Sequence, residues 1–127
     1  MRPEISSTGF STVSRLCLLL NATFLAACAS PDPLAGLDGQ RLFFDNCAEC
    51  HQVNGRGIPN VYPALDGNET VTGSGADVAL VLIIGRGEMP SFRGALSSAE
   101  MAAIINYVRN AWNNTGAPIS AAAVEAL

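Results

Sequence analysis

The chain has 127 residues, 49% of them apolar, with one histidine, four cysteines and a formal charge of −4. That length holds one domain, and the acidic balance excludes a surface built for nucleic-acid phosphates or an anionic lipid face. Part of the apolar content belongs to a targeting segment and is not available for a core.

Residues 16–27 (LCLLLNATFLAA) form an apolar run that suits the h-region of a signal peptide. It falls short of the roughly 20 residues that a membrane-spanning helix needs. The segment before it carries Arg2 and Arg15, opposed by Glu4. Leu25-Ala26-Ala27-Cys28 resembles a bacterial lipobox, which implies cleavage before Cys28 and lipid on its thiol. Each buried methylene of such chains contributes about 0.8 kcal/mol, so several chains hold a protein firmly to a membrane. The alternative is ordinary cleavage after Ala29, because Ala27-Cys28-Ala29 also has the A-x-A form. On the lipobox reading, residues 1–27 are the signal peptide and 28–37 a tether with Pro31 and Pro33. At about 3.3 Å per extended residue, such a tether reaches some 30 Å. Residues 38–114 are then the folded domain and 115–127 a C-terminal tail. From Cys28 onward, five arginines and no lysine stand against ten acids, a net charge of −5.

Within the domain, residues 38–50 are expected to be helical, with Gly39, Phe43, Cys47 and Cys50 along one stripe at helical spacing. Residues 54–75, rich in Gly, Pro and Asn without a sustained period, are expected to form a loop. The apolar run 76–85 (ADVALVLIIG) predicts a short helix ending at Gly85, with a buried strand as the alternative. Ser97 and Glu100 form a capping box, and Leu96 opposite Met101 matches a hydrophobic staple. From there Met101, Ile104, Ile105, Val108 and Trp112 recur at helical spacing until Asn113, Asn114 and Gly116 stop the helix. The tail at 115–127 carries no functional signal.

The chemistry sits at Cys47-Ala48-Glu49-Cys50-His51. Two thiols three positions apart on a helical turn point the same way and match the two vinyl groups of one porphyrin, while the adjacent histidine is carried over the ring to the iron. This is the attachment motif of one covalent haem c. A zinc site needs further soft ligands, and beyond the leader only two cysteines and one histidine remain. A thioredoxin-like pair needs a βαβ frame that the helices and loops do not offer. With His51 the only histidine and no lysine present, the sixth iron ligand is methionine, water or an external group. Met1 is lost and Met101 serves the staple, which leaves Met89 in Gly85-Arg86-Gly87-Glu88-Met89-Pro90. Glycines let backbone pass close to a flat cofactor and Pro90 biases Met89 toward extended backbone. The competing role for Met89 is core filler.

These residues resemble the class I cytochromes c over about residues 36–114. The resemblance implies an all-α fold, with helices packed around one covalently bound haem. In that family a glycine and an aromatic residue precede the first haem cysteine by eight and four positions, as Gly39 and Phe43 do, and pack against a pair on the last helix matched by Ile104 and Tyr107. Pro63, Leu65 and Gly67 match a P-x-L-x-G segment, which implies that the Pro63 carbonyl accepts the Nδ1 hydrogen of His51 and strengthens it as a ligand. More narrowly, CAECHQVNGRGIPNVYPAL, GRGEMPSF and LSSAEMAAIINYVRNAW resemble cytochrome subunits that accompany quinoprotein alcohol dehydrogenases and terminal oxidases.

The expected function is one-electron carriage, without enzymatic activity, between a quinoprotein or quinol dehydrogenase and an acceptor such as an oxidase or another cytochrome. The expected place is the periplasm, on a bacterial membrane through the lipid on Cys28. The alternative is a haem enzyme or gas sensor in which Met89 is absent from the iron or leaves it easily. Arg56 and Arg86 are candidates to pair with haem propionates, against solvated surface roles. Tyr62 and Trp112 either touch the haem or pack the core.

Overall fold

In the computed structural model, residues 32–127 are described; the signal segment, the lipidation reading at Cys28 and the first part of the tether lie outside them. The described chain is helical, in the order α1 (Gly39–Asn46), α2 (Ala48–His51), α3 (Glu69–Thr72), α4 (Gly75–Ile84), α5 (Ser98–Val108) and α6 (Ala121–Glu125). Short β-bridges occur only within loops, so among the described residues the fold is all-α. No described helix is long and apolar enough to cross a membrane.

The frame is the crossing of α1 over α5. Asp38 caps α1 by accepting from the Arg41 amide at 3.0 Å, which satisfies one of the donors a helix start leaves free. At the crossing, a Cβ on Gly39 would lie 2.2 Å from the Ala103 carbonyl oxygen, so only a residue without one lets the two backbones come this close. One turn on, Phe43 is fully buried against Ile104 and Val108, with Tyr107 and Trp112 rings 5.5 and 5.6 Å from its own. The packing of Gly39 and Phe43 on Ile104 and Tyr107 is therefore present. Helix and aromatic cluster together form one core; Ala79, Leu82, Ile83, Met101, Ala102, Ile105 and Val124 form the second, between α4, α5 and α6.

The element boundaries depart from the sequence reading in three places, at the first helix, in the 54–75 segment and at the end of α5. The helix over 38–50 breaks at Cys47, whose φ of −128° and ψ of −30° leave helical geometry and start a separate turn, α2. The segment 54–75 is not all loop, because Asn68 accepts from the Thr70 and Val71 amides and starts the one-turn helix α3. The run 76–85 is, as expected, a helix, α4, capped by Ser74 and closed by Gly85, and the alternative of a strand does not occur. The helix α5 begins at the Ser97–Glu100 capping box as expected but ends at Val108, short of Trp112. Trp112 adopts φ of +56° instead, which swings its ring back onto Phe43.

Residues 115–127 are more than an appendage. Asn106 donates to the Ile119 carbonyl and accepts from the Ile119 amide, at 3.0 and 2.8 Å, which returns the chain alongside α5. Ser120 then caps α6, Ala121 is buried, and Val124 packs into the α4–α5 core.

Candidate functional site

The two cores leave between them a cleft of about 280 Å³, and its wall is assembled in chain order. From α1 and α2 come Phe43, Cys47, Cys50 and His51; from the following loop, Tyr62, Pro63 and Leu65. Helices α3 and α4 supply Val71, Val78, Val81 and Leu82, the next loop supplies Arg86, Met89 and Pro90, and α5 supplies Ile104 and Val108. Most of these side chains are aliphatic or aromatic, so the cleft offers a flat apolar guest the kind of surroundings it lacks in water.

The break at Cys47 places the thiols. Backbone bonds from the Cys50 and His51 amides to the Cys47 carbonyl, at 3.2 and 3.0 Å, wind residues 47–51 into one tight turn. The two cysteines form no disulfide with each other and both line the cleft, Cys47 buried and Cys50 half-buried. Burial, with a smaller contribution from the charge of Cys50, pushes the Cys47 thiol up to about 11. The Tyr62 hydroxyl lies against Cys50 and is held above the usual phenol range, first by the charge on Cys50 and then by their hydrogen bond.

His51 is 7% exposed, and its Nδ1 lies 3.0 Å from the Pro63 carbonyl oxygen. A carbonyl only accepts, so Nδ1 carries the hydrogen and Nε2 keeps its lone pair for the cleft. The Pro63 segment is itself fixed: the Leu65 and Asp66 amides donate to the Gly55 carbonyl at 2.7 and 3.0 Å. The buried Asn114 side chain accepts from the Gly67 amide at 2.8 Å and donates to the Leu65 and Val108 carbonyls at 2.9 and 2.8 Å. The loop that orients His51 is thereby tied to the end of α5.

Met89 enters from the opposite part of the chain. Arg86 and Met89 exchange two backbone hydrogen bonds of 3.0 Å each, closing a four-residue turn. Gly85, at φ of +83°, ends α4 in the left-handed region that a side chain disfavours, and a Cβ there would meet the Met89 carbonyl oxygen at 2.6 Å. Beyond the turn, the Ser91 hydroxyl donates to the Ile83 carbonyl at 2.6 Å and the Phe92 amide to Leu82 at 2.8 Å. These bonds hold the Met89 loop against α4, with the Met89 side chain half-buried.

The donor set on the cleft is thus one oriented imidazole, two thiols and one thioether, inside an apolar wall. That set fits a haem c: thiols for two ring edges, nitrogen and sulfur donors for iron, and carbon surfaces for the porphyrin faces. Arg86 lines the cleft and Arg56 does not; Tyr62 lines it and Trp112 packs behind Phe43. Two polar residues that bind the site together, Asn114 and Arg109, were not singled out for this work from sequence. Asn114 reads there as a helix stop and Arg109 as part of the surface charge, and neither reading carries a signal of burial.

The family model described as "Cytochrome C oxidase, cbb3-type, subunit III" matches residues 35–108. The cytochrome c subunit of the quinone alcohol dehydrogenase of Gluconobacter oxydans is 32% identical over 105 residues, which cover 72% of this chain and 22% of that subunit. Cytochrome c-552 of Thermus thermophilus is 33% identical over 96 residues, 64% of each chain. This chain thus spans about a fifth of the first relative's length and just under two thirds of the second's. Cytochrome c6 of Microcystis aeruginosa is 36% identical over 74 residues, 56% of this chain and 90% of that protein. With the matched model covering more than half of the chain, and its motif and cleft as described, the chain belongs to the cytochrome c family, with one covalently bound haem c.

Proposed function

We propose that this cytochrome passes single electrons from a quinoprotein or quinol dehydrogenase to an oxidase or another cytochrome, with no reaction of its own. The reading is carried by one observation: an imidazole whose tautomer is fixed by Pro63 and a methionine held on a pinned loop line the same apolar cleft. Haem c supplies the ferric–ferrous couple. Cys47 and Cys50 would tether the ring covalently, and His51 and Met89 would supply the iron with its nitrogen and sulfur donors. The Pro63 carbonyl makes His51 a stronger donor, since a hydrogen bond at Nδ1 raises the basicity of Nε2. The thioether and the apolar wall favour the less charged ferrous form and so a positive potential. With His51 and Met89 both bound to it, the metal would be kept from small molecules, which favours outer-sphere transfer over catalysis.

The dehydrogenase and oxidase partners are supported by the names of relatives, one a cytochrome c subunit of a quinone alcohol dehydrogenase and one the CcoP subunit of the cbb3-type oxidase of Rubrivivax gelatinosus. Placement in the periplasm on a bacterial membrane, through lipid on Cys28, is supported by the leader sequence LCLLLNATFLAAC. The oxidised protein should show a methionine-to-iron charge-transfer band that Met89→Ala abolishes. Reduced wild type should bind carbon monoxide negligibly and Met89→Ala should bind it readily. Rapid binding by the wild type would instead favour a haem enzyme or gas sensor with a labile sixth ligand.

A further inference from the structure

Arg109 directly follows α5 and is 4% exposed, although arginine is among the side chains least often buried. Its Nε donates to the Val71 carbonyl at 2.9 Å, one Nη donates to Gly73 at 2.6 Å and the other donates to Ala117. No carboxylate joins it, because among the described residues the one ion pair is the exposed Arg41–Asp45 contact. Two glycines make the room: a Cβ on Gly116 would lie 2.8 Å from the guanidinium carbon, and one on Gly75 would lie 3.0 Å from Nη1.

This is a closed seat for one uncompensated positive charge. It sits directly behind the cleft, since Val71, whose carbonyl it binds, and Val108, its chain neighbour, both line the wall. Arginine keeps its charge in proteins. A charge in the interior acts at a lower effective dielectric than one in water and is little screened by salt. Adding an electron lowers the charge of the haem, so a nearby fixed cation stabilises the reduced form.

We propose that Arg109 is a positioning residue that raises the reduction potential of the haem by holding a permanent positive charge behind the Val71 wall. The inference rests on the haem occupying this cleft. Redox titration of the holoproteins tests it, with Arg109→Met removing the charge and Arg109→Lys retaining it. At a fixed ambient potential near the wild-type midpoint, the ferrous-to-ferric ratio of Arg109→Met should fall several-fold, tenfold corresponding to 59 mV. Arg109→Lys should stay within about twofold of wild type, and the Met-variant shift should persist at high salt, as expected for a buried charge. If the methionine variant does not accumulate, Arg109→Gln, which keeps N–H donors without the charge, carries the same prediction. An unshifted neutral variant, an equal shift in the lysine variant, or a shift accompanied by loss of the methionine–iron band would each overturn the role of Arg109. A wild-type protein without attached haem would instead overturn the assignment of the cleft.

Discussion

His51 is the chain's single histidine, and what fixes its tautomer is a carbonyl twelve residues away. The motif of two cysteines and a histidine was legible from sequence because its spacing is itself the chemistry. The partner at Pro63 was reached through family resemblance, and the fixing of its loop by Asn114 was not reached at all. A buried asparagine reads in sequence like a surface one, since its role depends on groups 47 and 49 positions away, at Gly67 and Leu65. Asn114→Ala should therefore act on the haem side of the molecule. It leaves the Gly67 amide and the Leu65 and Val108 carbonyls without this partner, and since only the Val108 bond is fully buried the cost is about 1–3 kcal/mol. Chemical denaturation checks the loss, and reduced methionine-band intensity is not expected, because the Met89 loop is tied separately to α4.

At the scale of elements, the start of α5 and the end of α4 at Gly85 were legible, and the end of α5 and the short helices α2, α3 and α6 were not. The Ser97–Glu100 box is written in adjacent residues, and both of its arms form: the Ser97 amide and hydroxyl donate to the Glu100 carboxylate at 2.8 and 2.7 Å, and Ser97 accepts from the Glu100 amide. Ser97→Ala should cost about 1 kcal/mol in thermal or chemical unfolding. The same bonds hold the Glu100 carboxyl below its usual range. A depressed carboxylate contributes stability that is fully present above the unfolded value, about 4.3, and is lost as pH falls through the lower folded value. Glu100→Gln should accordingly flatten the acid limb of the stability profile below about pH 4.3, modestly because the group is solvent-accessible. The end of α5 was overrun in the sequence reading because Trp112 keeps helical spacing, yet its place is set by the aromatic contact with Phe43. Likewise α6 is a single turn whose alanines show no usable period, and it is held by contacts of Asn106 and Val124 that only the tertiary fold provides.

For the molecule as a whole, the architecture is two small cores flanking a cleft, and the surfaces facing that cleft are largely apolar. A domain of this size buries too little surface to be comfortable by itself, and a haem in the cleft would fill the space between the cores. A Cys47→Ser/Cys50→Ser variant that lacks haem should show low helicity and broad, non-cooperative thermal unfolding by circular dichroism; a sharp transition at the holoprotein's temperature would contradict this. The covalent link is the claim on which fold stability, redox function and family membership all converge. Expressed with a working haem-attachment system, unfolded in denaturant and extracted with acidified organic solvent, the protein should keep its pigment with the polypeptide, and the proteolytic peptide that contains Cys47 and Cys50 should carry the mass of one haem. Pigment that passes into the organic phase, leaving that peptide unmodified, would contradict the account at its centre.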